Sequence, residues 1–124
     1  MTLDTNIIIA YLDGEGEVVR ALSDLKSNGV PFFLSSIVEA ELLSFSRWTD
    51  AERRATQSFL EQNFISIAFD RTVARIAAHV RRSVKSVKLP DAAIAATALY
   101  TNIPLVTRNA YDFRGIAGLS IASF

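Results

Sequence analysis

The chain has no cysteine among its 124 residues. That excludes disulfide staples, thiolate zinc sites and cysteine nucleophiles, and it fits a reducing cytoplasm. Net charge is also lacking: 13 basic residues balance 13 acidic ones, so bulk charge does not announce a nucleic-acid binder. Long apolar runs are missing too. Ile7 to Leu12 is too short for a signal segment or a membrane span, and no basic region precedes it. A soluble, cytoplasmic protein with no membrane partner is the expectation. Internal repeats, low-complexity tracts and linkers are absent, and the length suits a single domain over residues 1–124. The only histidine, His79, falls mid-helix beside Arg81 and Arg82 and reads as a surface or packing residue, with a substrate contact as the alternative.

What is present is apolar and patterned. Half the residues are hydrophobic, enough for a core without staples. Thr2-Leu3 predicts a first strand ending at Asp4, followed by a short helix through Leu12. Asp13-Gly14-Glu15-Gly16 breaks the chain. Val18, Val19, Leu22 and Leu25 recur at helical spacing over Glu17 to Ser27, with Asn28-Gly29 as the stop. Pro31 to Leu34 reads as a strand buried on both faces. Ser35 or Ser36 caps the next helix, with Glu39 placed for a capping box with Ser36, and that helix runs to about Arg47. Asp50 opens a further helix, and Phe64 to Phe69 is a third strand. Asp70 caps a helix whose apolar stripe is Val73, Ile76, Ala77, Val80 and Val84. Asp91 starts an alanine-rich, buried helix to about Tyr100. Ile103 to Thr107 and Leu119 to Ile121 are the fourth and fifth strands. Alternating strands and helices predict an α/β fold: a three-layer α/β/α domain with a central, mainly parallel sheet of about five strands.

Four carboxylates fall where a strand ends or a helix begins: Asp4, Glu41, Asp91 and Asp112. In an open α/β sheet the carboxyl ends of the strands face one crevice. Carboxylates gathered there repel one another and hold raised pKa values. A hard divalent cation relieves the repulsion, because Mg²⁺ and Mn²⁺ prefer oxygen ligands. Phosphate chemistry is the common use of such a site. Each acid also has a plainer reading. Asp4 and Asp91 suit helix N-caps, Glu41 a solvent-facing helix position with Glu39 as its competitor, and Asp112 a turn near Gly115. The charge distribution adds a second signal. No acid lies between Asp70 and Asp91, a stretch holding Arg71, Arg75, Arg81, Arg82, Lys85 and Lys88. Such a run either positions phosphates or forms a solvated helix face.

The motifs resemble a known family in order and spacing. Leu3-Asp4-Thr5-Asn6 with its aliphatic run is similar to the start of a PIN domain. Glu41-Leu42 within a helix, the Pro90-Asp91-Ala92-Ala93 helix and Val106-Thr107-Arg108-Asn109-Ala110-Tyr111-Asp112-Phe113 follow as in that family. The resemblance covers essentially the whole chain, and its size is similar to VapC-type toxins of toxin–antitoxin pairs. It implies an Mg²⁺- or Mn²⁺-dependent endoribonuclease with an RNA substrate, a cognate antitoxin partner and a homodimeric state. It implies Asp4, Glu41 and Asp91 as catalytic metal ligands, and Asn6, Thr107 and Asn109 as residues that orient them. Many relatives carry Asp where this chain has Asn109, and Asp112 is the nearest acid, so the fourth ligand falls to one of those two positions. Lys85, Lys88 and Arg108 are the candidate RNA contacts. Two alternatives stand beside this reading. One is a catalytically silent PIN domain serving as a scaffold for RNA or protein. The other is a receiver-like phosphoacceptor domain, which would want an early acidic pair and a late Lys that this chain lacks.

Overall fold

Five strands form one parallel sheet in the order β3-β2-β1-β4-β5. The structure is a computed structural model and describes residues 1–123; Phe124, the last residue of the expected domain, lies outside the described residues. In chain order the first half comprises β1 (Thr2–Leu3), α1 (Thr5–Leu12), α2 (Gly16–Ser27), β2 (Phe33–Ser35), α3 (Ser36–Leu43) and α4 (Asp50–Asn63). Then come β3 (Ile65–Ile67), α5 (Arg71–Ser83), α6 (Leu89–Thr101) and β4 (Leu105–Val106). A 3-10 turn (Ala110–Phe113) and β5 (Ile121–Ala122) complete it.

Neighbouring residues on a strand point to opposite faces of the sheet. Thr2 and Leu3 are both 0% exposed, and Leu105 and Val106 are 0% and 1%. Both faces of the central strands are therefore covered, which gives the three layers expected. Helix α6 shows how close that cover is. Ala92 through Ala98 are all buried, and five of these seven are alanine, whose small side chain lets the helix sit close to its neighbours. Edge strand β3 is more open, with Ile65 51% exposed.

Several element ends move from their expected places for local reasons. Helix α3 stops at Leu43, well short of Arg47, and a new helix is initiated at Thr49. The capping box expected at Ser36 and Glu39 forms at Thr49 and Glu52. There the Glu52 N–H donates to Thr49 Oγ1 at 3.1 Å and the Thr49 N–H donates to Glu52 Oε1 at 2.9 Å. Ser35 caps α3, and the Ser36 hydroxyl accepts from the Phe69 N–H at 2.9 Å, which ties the start of α3 to the chain beyond β3. Helix α6 begins at Leu89 with Lys88 as its cap residue, so Asp91 is not the cap. Pro90 lies in the first turn, where a missing N–H leaves nothing unpaired. The stop after α2 is as expected: Asn28 ends the helix and Gly29 takes the positive φ of 76° that the exit requires.

Candidate active site

The chain runs β1, β2, β3 toward one edge of the sheet and places β4 and β5 on the other side of β1. The direction reverses between β1 and β4, and ligands of open α/β sheets bind outside the strand ends at such a point. Register puts Thr2 opposite Leu105 and Leu3 opposite Val106. The next pair, Asp4 and Thr107, therefore stands at the mouth of the crevice. The Asp4 N–H still donates to Val106 O at 3.0 Å, which fixes its side chain at the rim.

Asp4 is only 5% exposed, yet its carboxylate is well supplied with donors. The Thr107 hydroxyl donates to Oδ2 at 2.8 Å, the Thr5 N–H donates to Oδ1 at 2.7 Å, and Asn6 Nδ2 donates to Oδ2 at 3.3 Å. Asp4 is thus both the N-cap of α1 and a rim residue of the crevice. Burial raises its pKa above 3.8; the bonds from Thr107, Thr5 and Asn6 oppose the rise, and the charge of Asp112 adds to it. Asn6 and Thr107 are joined at 3.5 Å, and Asn6 Oδ1 accepts from the Arg108 N–H at 3.3 Å. The Asn109 N–H donates to Thr107 Oγ1 at 3.0 Å. Asn6, Thr107 and the Asn109 backbone therefore form one hydrogen-bonded network behind Asp4.

The other acids approach from separate elements. Glu41, on α3, accepts from the Thr5 hydroxyl at 3.1 Å, which brings it beside the residue following Asp4. Glu39 makes no side-chain hydrogen bond among the described residues. Asp91, in the first turn of α6, has a raised pKa, first through burial and then through the charges of Asp4, Asp112 and Glu41, with Lys88 opposing. Those three carboxylates therefore lie on the same side of the molecule as Asp91, near enough for their charges to act on it. Asp112 sits in the 3-10 turn and walls a cleft of ≈ 290 Å³ together with Asp91, Lys88, Ser86, Tyr111 and Arg114.

The three candidate RNA contacts part company. Lys88 lines the acidic cleft. Lys85 lies in a neighbouring groove with Arg81, Arg82, Phe69 and Leu89. Arg108 forms an ion pair with Glu15 across the start of α2, and that partner holds the Glu15 carboxyl below its usual range. His79 is exposed. Sequence reasoning missed Thr5, whose hydroxyl reaches Glu41, and the pair Tyr111 and Arg114 on the cleft wall. An aromatic inside the Thr107 to Phe113 motif and an arginine directly after it were the available signal.

The donor set suits a hard cation. It is all oxygen, it carries several negative charges, and the raised pKa values of Asp4 and Asp91 are the strain that a cation relieves. Among the described residues no three such side chains are already drawn together tightly enough to cage an ion. No helix of the described residues is long and apolar enough to cross a membrane.

Comparison with known proteins agrees with this fold. The PIN domain family matches over residues 1–119. Ribonuclease VapC19 of Mycobacterium tuberculosis is 30% identical over 114 residues, covering 90% of each chain. VapBC2 from Rickettsia felis, solved bound to a DNA fragment from its promoter, is similar at a TM-score of 0.84 and 25% identity, over 99% of this chain and 97% of that one. A toxin–antitoxin complex from Klebsiella pneumoniae is similar at a TM-score of 0.78 and 32% identity, over 95% and 93%. With the family matched along nearly its full length, the chain belongs to the PIN domain family, in its VapC-type branch.

Proposed function

We propose that the protein is a divalent-metal-dependent endoribonuclease and the toxin of a toxin–antitoxin pair. The observation that supports this reading is the placement of Asp4 at the reversal point of a parallel sheet, with Glu41 one residue away through the Thr5 hydroxyl, Asp91 and Asp112 on the wall of one cleft, and Asp4 and Asp91 held at raised pKa. Its relative named a ribonuclease, and solved neighbours that are toxin–antitoxin complexes, support the same conclusion. The partners that follow are an RNA substrate, a cognate antitoxin and a second copy of the chain.

Asp4, Glu41 and Asp91 would hold the ion, with Asp112 as a fourth oxygen donor. Bound there, Mg²⁺ or Mn²⁺ supplies Lewis acidity toward water and the scissile phosphate. The protein's own share is positional. Thr107, Thr5 and Asn6 lock the Asp4 carboxylate in one orientation, so no reorganisation is needed when substrate arrives. Thr5 also sets Glu41. Asp91 lies on the wall of the same cleft as Asp112 and Lys88, and a carboxylate there that is not fully spent on the ion is the group suited to accept a proton from water. Lys88 places a positive charge on the wall of the same cleft, where it attracts the phosphate backbone.

Cleavage of single-stranded RNA by the purified protein tests this. Strand scission is expected in Mg²⁺ or Mn²⁺, none in EDTA, and none from Asp4→Asn. RNA left intact by the wild type in both metals would return the chain to the scaffold alternative.

A further inference from the structure

We propose that Tyr111 and Arg114, with Lys88 facing the same cleft, form a subsite that stacks one unpaired RNA base beside the acidic centre. The proposal rests on the ribonuclease reading and names how that site grips its substrate.

Tyr111 is 70% exposed, the most open of the large hydrophobic side chains among the described residues. The other aromatic pairs of the fold are spent on one another: Tyr11 stacks on Phe59, Phe32 and Phe64 pack together, and Phe45 meets Trp48. Tyr111 instead meets a cation. The Arg114 guanidinium carbon lies 3.5 Å from its ring centroid, and Arg114 Nη1 donates to Tyr111 O at 2.9 Å. That second bond closes the pair back on its own backbone and restrains both groups. The result is two planar surfaces, one aromatic and one cationic, held together.

Both line the cleft of ≈ 290 Å³ that also contains Asp91 and Asp112. That volume is at the small end of ligand clefts, roughly 300–1,000 Å³, and suits a single base better than a folded partner segment. Unpaired bases stack on aromatic rings and on arginine planes, and both are offered here. A nucleotide also brings a phosphate, and the cleft's carboxylates would repel it. Lys88 and Arg114 supply the compensating charge on the same walls. Tyr111 is neither in the core nor among the partly buried hydrophobics packed against it, so core packing does not account for its position. A protein partner would also use an exposed tyrosine, but it would not distinguish single-stranded from paired RNA.

The test measures binding of a labelled, short single-stranded RNA of mixed sequence, and of the same strand annealed to its complement. Ca²⁺ is the cation in the titrations, and cleavage of the same strand is followed separately in Mg²⁺. Tyr111→Ala is expected to weaken single-strand binding roughly 5- to 150-fold, the contribution of one stacked base, and to leave duplex binding unchanged. Tyr111→Phe is expected to restore wild-type affinity, since the ring and not the hydroxyl does the stacking. Lys88→Ala is expected to lower the salt slope by about 0.7, the value for one phosphate on a single strand. Wild-type cleavage with equal affinity in Tyr111→Ala overturns the subsite alone and leaves Tyr111 to a protein contact. A wild type that neither binds nor cleaves the strand overturns the ribonuclease reading and the subsite together.

Discussion

Replacing Thr107 by valine removes one hydroxyl and little else, because the branched shape is kept. In the structure that hydroxyl donates to Asp4 Oδ2 at 2.8 Å and accepts from the Asn109 N–H at 3.0 Å. Thr107 is 7% exposed and Asp4 5%, so water does not easily replace the bond to the carboxylate. A hydrogen bond to a charged group contributes about 1.5–3 kcal/mol. The Asn109 N–H belongs to an exposed residue and can turn to solvent, so its loss adds little. At neutral pH without metal the expected deficit is about 2 kcal/mol. For a domain of this size that lowers the melting temperature by roughly 6–10 °C.

The pH dependence of the deficit is more telling than its size. The Thr107 bond favours the charged form of Asp4, and without it a pKa already raised by burial moves up further. Between 3.8 and a raised folded value, the folded state binds more protons than the unfolded state, so stability falls as pH rises through that window. The variant's window extends higher than the wild type's, and it loses more on the way to neutrality. The deficit is therefore largest near neutral pH and shrinks as pH falls toward 3.8. Melting followed by circular dichroism in EDTA at the two pH values measures it. Divalent-ion affinity, titrated on the same protein, should fall by about 10–100-fold, the usual effect of removing a partner of a ligand. An equal deficit at both pH values, or wild-type melting at neutral pH, would refute the assignment of Thr107 as the support of a charged Asp4.

Three further outcomes are expected. Asp91→Asn should abolish RNA cleavage while the metal-free protein melts at or above the wild-type temperature, because a charge repelled by Asp4, Asp112 and Glu41 has been removed; loss of activity through unfolding would argue against a catalytic role. Asn109→Asp should retain cleavage and tighten Mn²⁺ binding, since it adds a charge directly beyond the Thr107 network; calorimetric titration decides it. Replacing Lys85 and Lys88 together by alanine should weaken RNA binding and flatten its salt dependence with metal affinity little changed, and an unaltered slope would return that stretch to plain solvated surface.

Much of the architecture was legible because it depends on local patterns. Helical spacing of Val18, Leu22 and Leu25 marks α2, and the apolar stripe of Val73, Ala77 and Val80 marks α5. The ends were less legible where two local signals competed. Ser36 and Glu39 read as a capping box, but the Ser36 hydroxyl is claimed by the Phe69 N–H, 33 residues away in sequence, and the box forms at Thr49 and Glu52 instead. Asp91 read as a helix cap, yet α6 begins at Leu89 and the cap position falls to Lys88.

The amino-acid sequence by itself determined the alternation of strands and helices, the oxygen-only character of the acidic residues and, through the order of its motifs, the family. Each of those is written in residue type and spacing along the chain. Tertiary structure decided which side chains meet. Strand order brings Asp4 beside Thr107 across 103 residues of sequence, and only that neighbour gives the buried carboxylate a hydroxyl donor at 2.8 Å. The fold also separates charges that look alike in the sequence. Lys88 reaches the cleft, Lys85 a neighbouring groove, and Arg108 is taken by Glu15. Burial and charge interactions depend on distance in space, and a linear pattern does not carry the register of a parallel sheet whose strands are far apart along the chain.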